Sequence, residues 1–288
     1  MNVILSRKGF DSKAGGGPSP ILPDGTLLSL PIPSDDADCF AELRHGGHTY
    51  AQLLEMLGLR SASGWCHVDP DLRHEVKPRK RGWRGGFGQA NAALEHLHGH
   101  RVGARDLFLF FGWFRATRWE SGRLRFDGPN LHVIFGYLQV DSELALDGEH
   151  PVSAWASDHP HVVARRLDPC AGDSLFIARP RLSWVNRPGH GVFDYHPDLV
   201  LTKTGHTRSH WDLPREVFRD ATISYHPSPW RRGYFQSAGR GQEFVVPHDS
   251  GVSAWARALV ARHASLAPRL GPGSEPETGY AGSRQSPT

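Results

Sequence analysis

Cysteine is scarce in this 288-residue chain: Cys39, Cys66 and Cys170 are the three, and no two of them form a CxxC pair. That scarcity excludes a disulfide framework and a cysteine-rich zinc module, and it points to a reducing compartment. Long hydrophobic runs are missing too. The apolar start before Arg7 and Lys8 is too short for a signal peptide, and Asp106–Phe114 is too short to cross a bilayer, so a cytoplasmic protein with no membrane partner is expected. Nor is there an excess of one charge. Lys and Arg number 33 against 30 Asp and Glu, and a net +3 does not by itself announce a nucleic-acid binder. Basic clusters exist locally, at Arg73–Arg84 and at Trp230–Arg232 with Arg240, and each is equally well read as a solvated loop.

What is present is a chain with 39% hydrophobic and 22% charged residues, enough to bury a core unaided. It is punctuated throughout by 32 Gly and 22 Pro, which favours many short elements over a helical bundle. Strands are predicted at Asn2–Ser6, Thr26–Ile32, Asp106–Phe114, Gly122–Phe126, Leu131–Val140, Ser174–Ala178, Leu199–Thr202 and Glu243–Val246. Asp127-Gly128-Pro129 reads as the turn between two of them, and the prolines of Pro18-Ser19-Pro20 argue against regular pairing there. Helices are predicted at Tyr50–Leu57, Gln89–His98 and Ser253–His263, with Asp141–Ser157 as a long surface loop. The expected class is α+β: a strand-rich mixed domain with a strongly curved or barrel-like central sheet and few helices. Residues 1–267 read as one domain, and 268–288, rich in Gly, Pro, Ser and Glu, as a disordered tail.

Four segments carry candidate chemistry. Arg7, Lys8 and Asp11 follow the first strand and precede Gly15-Gly16-Gly17, a pattern suited to an anion but matching neither a Walker loop nor the dinucleotide fingerprint. In Cys66-His67-Val68-Asp69-Pro70-Asp71 the alternation would turn His67, Asp69 and Asp71 to one side, fit for acid–base work or a divalent metal ion; the wet face of a strand is the plainer account. Three His-Pro steps, His159-Pro160-His161, His196-Pro197 and His226-Pro227, would hold imidazoles on stiff extended stems or simply make turns. Finally, Arg240, Gln242 and Glu243 put a carboxylate at the mouth of a strand, where it accepts a proton, stabilises a developing cation or merely pairs with Arg240.

Taken in order, SRKGFDS, PSPILPDGTLLSLPIP, HVDPDLR, GWRGGFGQ, DLFLFFGWFR, LHVIFGYLQV, HPHV and RGQEFV make the chain resemble the bacterial and phage family called nucleotide modification associated domain 3, over roughly residues 2 to 260. The resemblance implies association with nucleic-acid base-modification systems, with other modification enzymes as partners. Positions matching these blocks include Arg7, Lys8, Asp11, Ser19, Asp24, His67, Asp69, Asp71, Gln89, Arg115, His159, His161, Arg240, Gln242 and Glu243. The central strands are also similar to PUA-like and EVE-like modules, small barrels that accommodate a base, which implies that Trp113, Phe114 and Arg115 stack on one.

The leading expectation is an enzyme, or a component of a modification system, acting on a nucleotide or a base in DNA. Arg7 and Lys8 hold phosphate in this reading, His67, Asp69 and Asp71 supply acid–base or metal chemistry, and Glu243 sits opposite. A second expectation is ADP-ribosyl or glycosyl transfer from NAD through Arg7, Ser19 and Glu243. A third is a reader that binds a modified base without chemistry. A divalent metal is the cofactor of the first and NAD that of the second.

Overall fold

The chain builds outward from its most apolar stretch. Leu107 to Phe111 are all fully buried, so both faces of this strand are covered and the strand sits centrally. The computed structural model describes residues 1–59, 64–167 and 172–265. Ten principal strands run in chain order: β1 Val3–Arg7, β2 Ser19–Ile21, β3 Ile32–Cys39, β4 Trp65–His67, β5 Gly86–Ala90, β6 Leu107–Glu120, β7 Arg123–Ala145, β8 Asp173–Ala178, β9 His190–Val192 and β10 Glu243–Val246. The α-helices are α1 Tyr50–Met56, α2 Asn91–Gly99, α3 Pro160–Leu167, α4 Arg215–Phe218 and α5 Ser250–His263.

Eight strands form one mixed sheet in the order β10-β1-β6-β7-β8-β5, with β9 added to β7 and β2 to β6. β1 and β2 run parallel to β6, while the other pairings are antiparallel. Strand makes up 37% of the structure and the sheet curls into a half-barrel, the α+β architecture expected from the sequence. Its curvature has local causes: the β6–β7 register shifts after Phe110 and after Phe114, and the β7–β8 register shifts at Ile177, each shift bending a strand. Phe87, Phe108, Phe110 and Phe176 form one buried ring cluster, with Phe87 packed edge-on 4.9 Å from Phe108 and 5.3 Å from Phe110. Each such ring contributes roughly 1.5–3 kcal/mol through burial.

Several elements differ from the sequence reading. β7 is one strand of 23 residues that passes straight through Asp127-Gly128-Pro129. The hairpin instead turns at Ser121-Gly122, whose φ values of +49° and +75° suit a two-residue turn of mirror-image type. Phe114 faces Leu131 and Ala116 faces Asp127, so the supposed turn residues bulge opposite Arg115. Ser19–Ile21 pairs with β6 despite Pro20, which is tolerated because β2 has a strand on one side only and meets just an isolated bridge at Leu27 on the other. Thr26–Ile32 is irregular, joined by isolated bridges at Thr26 and Leu27. Residues 199–202 likewise contribute bridges at Val200 and Thr202 and no strand. Part of the expected surface loop at 141–157 continues β7 to Ala145. His159-Pro160-His161, expected as extended, opens α3, because proline fits the first helical turn where no backbone donor is required. The tail from 268 lies outside the described residues. No helix among the described residues is long and apolar enough to cross a membrane.

Candidate functional site

β1 ends at Arg7, and Ser6 stands opposite Glu243 in the β1–β10 register, so an early and a late strand of the chain lie side by side. The curl then brings the far edge strand, β5, around to the same place. Gln89 Nε2 donates to Glu243 Oε1 at 2.7 Å, and Lys8 Nζ lies 3.0 Å from the same oxygen. All three side chains are buried, and Lys8 also sits 4.4 Å from the centre of the Phe87 ring. Glu243 Oε2 has no hydrogen-bond partner among the described residues.

Above this trio opens a cleft of about 1010 Å³. Its walls include the cations Arg7, Arg208 and Arg240, the aromatic Trp113, and the group His67, Asp69 and His161. Burial lowers the Arg7 pKa, with Asp11 acting in the opposite sense and Arg208 in the same one. Its guanidinium donates to Gly241 O, anchoring the 238–242 loop that carries Arg240 and Gln242. The Arg208 guanidinium lies 4.0 Å from the Trp113 ring centre, a cation–π contact that occupies one face of the indole.

The His67, Asp69 and His161 group is held by β4, β5 and α3. Asp69 Oδ1 accepts the Gly88 N–H at 2.7 Å, fixing the carboxylate against β5. His161 Nε2 lies 4.0 Å from Asp69 Oδ2, and its Nδ1 lies 3.5 Å from Asp173 Oδ2. Burial depresses the His161 pKa, but the hydrogen bond to Asp173 and the charges of Asp69 and Asp173 outweigh it and raise the value overall. The His67 ring packs edge-on against His161 with centroids 4.8 Å apart. His161 fits across β5 only because residue 88 is glycine: a Cβ there would fall 2.0 Å from His161 Cδ2. His159 is buried beneath, 3.7 Å from Asp69 Oδ1 through Nε2, and neither ring nitrogen meets a hydrogen-bond partner among the described residues. Burial, with His161 and His67 nearby, holds it well below the usual histidine pKa.

The structure therefore brings Arg7, Lys8, Asp11, His67, Asp69, Gln89, Trp113, His161, Arg240 and Gln242 to one cleft, with Glu243 directly beneath. Asp11 lines it while organising its own loop, accepting from Lys13 and Ala14 N–H at 2.7 Å each. Asp71 goes elsewhere. The strand ends at His67, so the expected alternation stops, and Asp71 forms a buried two-pronged pair with Arg79 at 2.5 and 2.7 Å. Ser19 is buried, accepts from Leu30 N–H at 3.0 Å and is not among the residues lining the cleft, whereas Arg7 is. Phe114 is fully buried, 5.7 Å from Phe135, and offers no face to a base. Arg115 reaches Gly128 O at 2.8 Å on the exposed bulge, off the cleft. The Arg73–Arg84 cluster is largely folded inward, through Arg79 to Asp71, Lys77 to Asp38 at 2.6 Å and Arg73 to Leu27 O at 2.8 Å.

The other His-Pro steps do not converge on this site. His226 accepts from Ala238 N–H at 2.8 Å and so supports the 238–242 loop from behind. His196 joins His263 at the end of α5. Arg208 and Asp173 were not singled out by sequence. Arg208 is an ordinary charged residue whose partner, Trp113, is remote in the chain, and Asp173 meets His161 only because α3 packs beside β8.

Fold and cleft together define an α+β protein with a basic, aromatic and imidazole-lined site formed where a curled sheet brings its edges together. The chain belongs to the family nucleotide modification associated domain 3, whose profile matches residues 2–247. No curated protein and no solved structure matches it.

Proposed function

We propose that the cleft is the active site of an enzyme that modifies a nucleotide or a nucleic-acid base, and that residues 1–267 act as one unit in doing so. The observation that carries this reading is the convergence on one cleft of cations from β1 and the 208 and 240 loops, the His67/Asp69/His161 group, and the Lys8–Glu243–Gln89 trio. The family's name supports a role in nucleotide modification systems.

In this reading Arg7, Arg208 and Arg240 receive phosphate, because guanidinium forks match phosphate oxygens and Arg7 is already oriented by its bond to Gly241. The base lies inward against Trp113, and the floor beyond it offers a carboxylate and imidazoles for proton transfer. Glu243, beneath the cleft, orients Lys8 and Gln89. A base from duplex DNA would have to leave the stack to reach the floor.

The test is direct. Nucleoside monophosphates and short single-stranded DNA are titrated into the protein by calorimetry, and nucleosides from cells with and without the gene are compared by mass spectrometry. Binding that is weakened by R7Q, with a modified nucleoside that disappears with the gene and in D69N, supports the proposal. Absence of both binding and any change in nucleosides overturns it.

A further inference from the structure

We infer that His67, Asp69 and His161 form a binding site for one divalent first-row transition-metal ion, open toward the cleft. The site's purpose rests on the cleft reading above, but its existence rests on its own geometry. One ligand atom from each of the three residues can be chosen so that all lie within 4.8 Å of one another. Ligand atoms at metal-bond lengths of about 2.0–2.2 Å are separated by roughly 3–4 Å across an ion, so small side-chain rotations close the set.

The surroundings point the lone pairs inward. Asp69 Oδ1 is committed to Gly88 N–H, which leaves Oδ2 facing His161 Nε2 at 4.0 Å. That separation is too long for a hydrogen bond and suits two donors sharing a cation. Behind His161, Asp173 stands 3.5 Å from Nδ1. A carboxylate in that position accepts a hydrogen bond from Nδ1–H, orients the ring and leaves Nε2 as the ligand, the outer-shell arrangement of metal-bound histidines. Asp173 Oδ1 and both His159 nitrogens are buried beside the group without hydrogen-bond partners among the described residues. Two carboxylates, Asp69 and Asp173, also balance a dication in a buried setting.

Two imidazoles with one carboxylate select a borderline ion such as Zn²⁺, Fe²⁺ or Co²⁺ over Mg²⁺ or Ca²⁺, which prefer all-oxygen shells. All three ligands line the cleft, so the remaining coordination positions face the place where substrate or water would sit. A second group, His196, Asp198 and His263, is poorer on the same criteria: Asp198 is taken by the Arg262 guanidinium at 2.5 Å.

The experiment titrates Co²⁺ into chelator-treated full-length protein, following visible d–d absorption, with metal stoichiometry by mass spectrometry and Zn²⁺ as competitor. One equivalent should bind. D69N and H161Q should lose the band at matched Co²⁺, D173N should weaken binding by about 10- to 100-fold, and H263Q should leave it unchanged. No band in folded wild type, a band retained in both D69N and H161Q, or a band lost in H263Q overturns the inference. Should D69N and H161Q fail to fold by circular dichroism, the wild-type stoichiometry and the D173N shift decide. Nucleoside monophosphate is titrated into the metal-free protein in parallel: nucleotide binding without Co²⁺ binding rejects the metal site alone, and the converse rejects the cleft reading alone.

Discussion

Gln89 and Glu243 stand on the two outermost strands of the β10-to-β5 path and yet share a 2.7 Å hydrogen bond. The bond links those two strands across the half-barrel, and Lys8, the residue after β1, completes it. A polar contact thus ties the sheet's edges together directly under the cleft.

Because Lys8 and Glu243 are both buried, removing one charge strands the other. E243Q is expected to destabilise the fold by about 3–5 kcal/mol, measured by urea denaturation. The double variant K8M/E243Q should recover much of that loss, and purely additive losses would show that the pair is not coupled.

Asp71 belongs to stability rather than to the cleft. D71N leaves Arg79 buried with a weakened partner and should also cost about 3–5 kcal/mol. Nucleotide affinity measured well below the melting transition should stay within about twofold of wild type. A large, specific loss of binding with unchanged stability would return Asp71 to the site.

G88A is expected to act through His161. The added methyl collides with the imidazole and should cost about 1–3 kcal/mol while displacing that ring from Asp69. Equal stability and an unmoved His161 side-chain resonance would contradict the contact.

Arg208 should contribute one phosphate contact. R208Q is expected to weaken single-stranded DNA binding and to reduce the steepness of its log–log salt dependence by about one. The Trp113 indole, freed on one face, should change its fluorescence.

Histidine burial gives a pH signature. Burial lowers His132 to about 3 and His190 to about 4, from an ordinary 6.5. The unfolded chain therefore binds their protons first, so their stabilising contribution is complete above about 6.5 and is lost as pH falls toward 3–4. His132 accepts the Trp211 indole N–H at 3.0 Å, a bond its neutral ring makes. Between pH 7 and 5 the stability gap between wild type and H132Q should shrink by roughly 2 kcal/mol. A constant gap would mean that His132 is protonated in the fold.

Much of the frame was legible in the chain. The strands expected at Asn2–Ser6, Asp106–Phe114 and Glu243–Val246 correspond to β1, β6 and β10, and the helical spacing in Tyr50–Leu57 to α1. Local turn chemistry misled at Asp127-Gly128-Pro129, where a bulge absorbs residues that would elsewhere reverse the chain, and at His159-Pro160-His161, where proline starts a helix. In the site, residue types were readable but partners were not. His67 and Asp69 were grouped with Asp71 by spacing; a fold that ends the strand at His67 exchanges Asp71 for His161, nearly a hundred positions away in sequence.

The strand that supplies the counterion of Lys8 follows that lysine by 235 positions in the chain. Until Glu243 leaves the ribosome, β1 has no β10 beside it and its buried lysine no carboxylate. A nascent chain stopped before that strand therefore leaves one edge of β1 unpaired and Lys8 without its counterion.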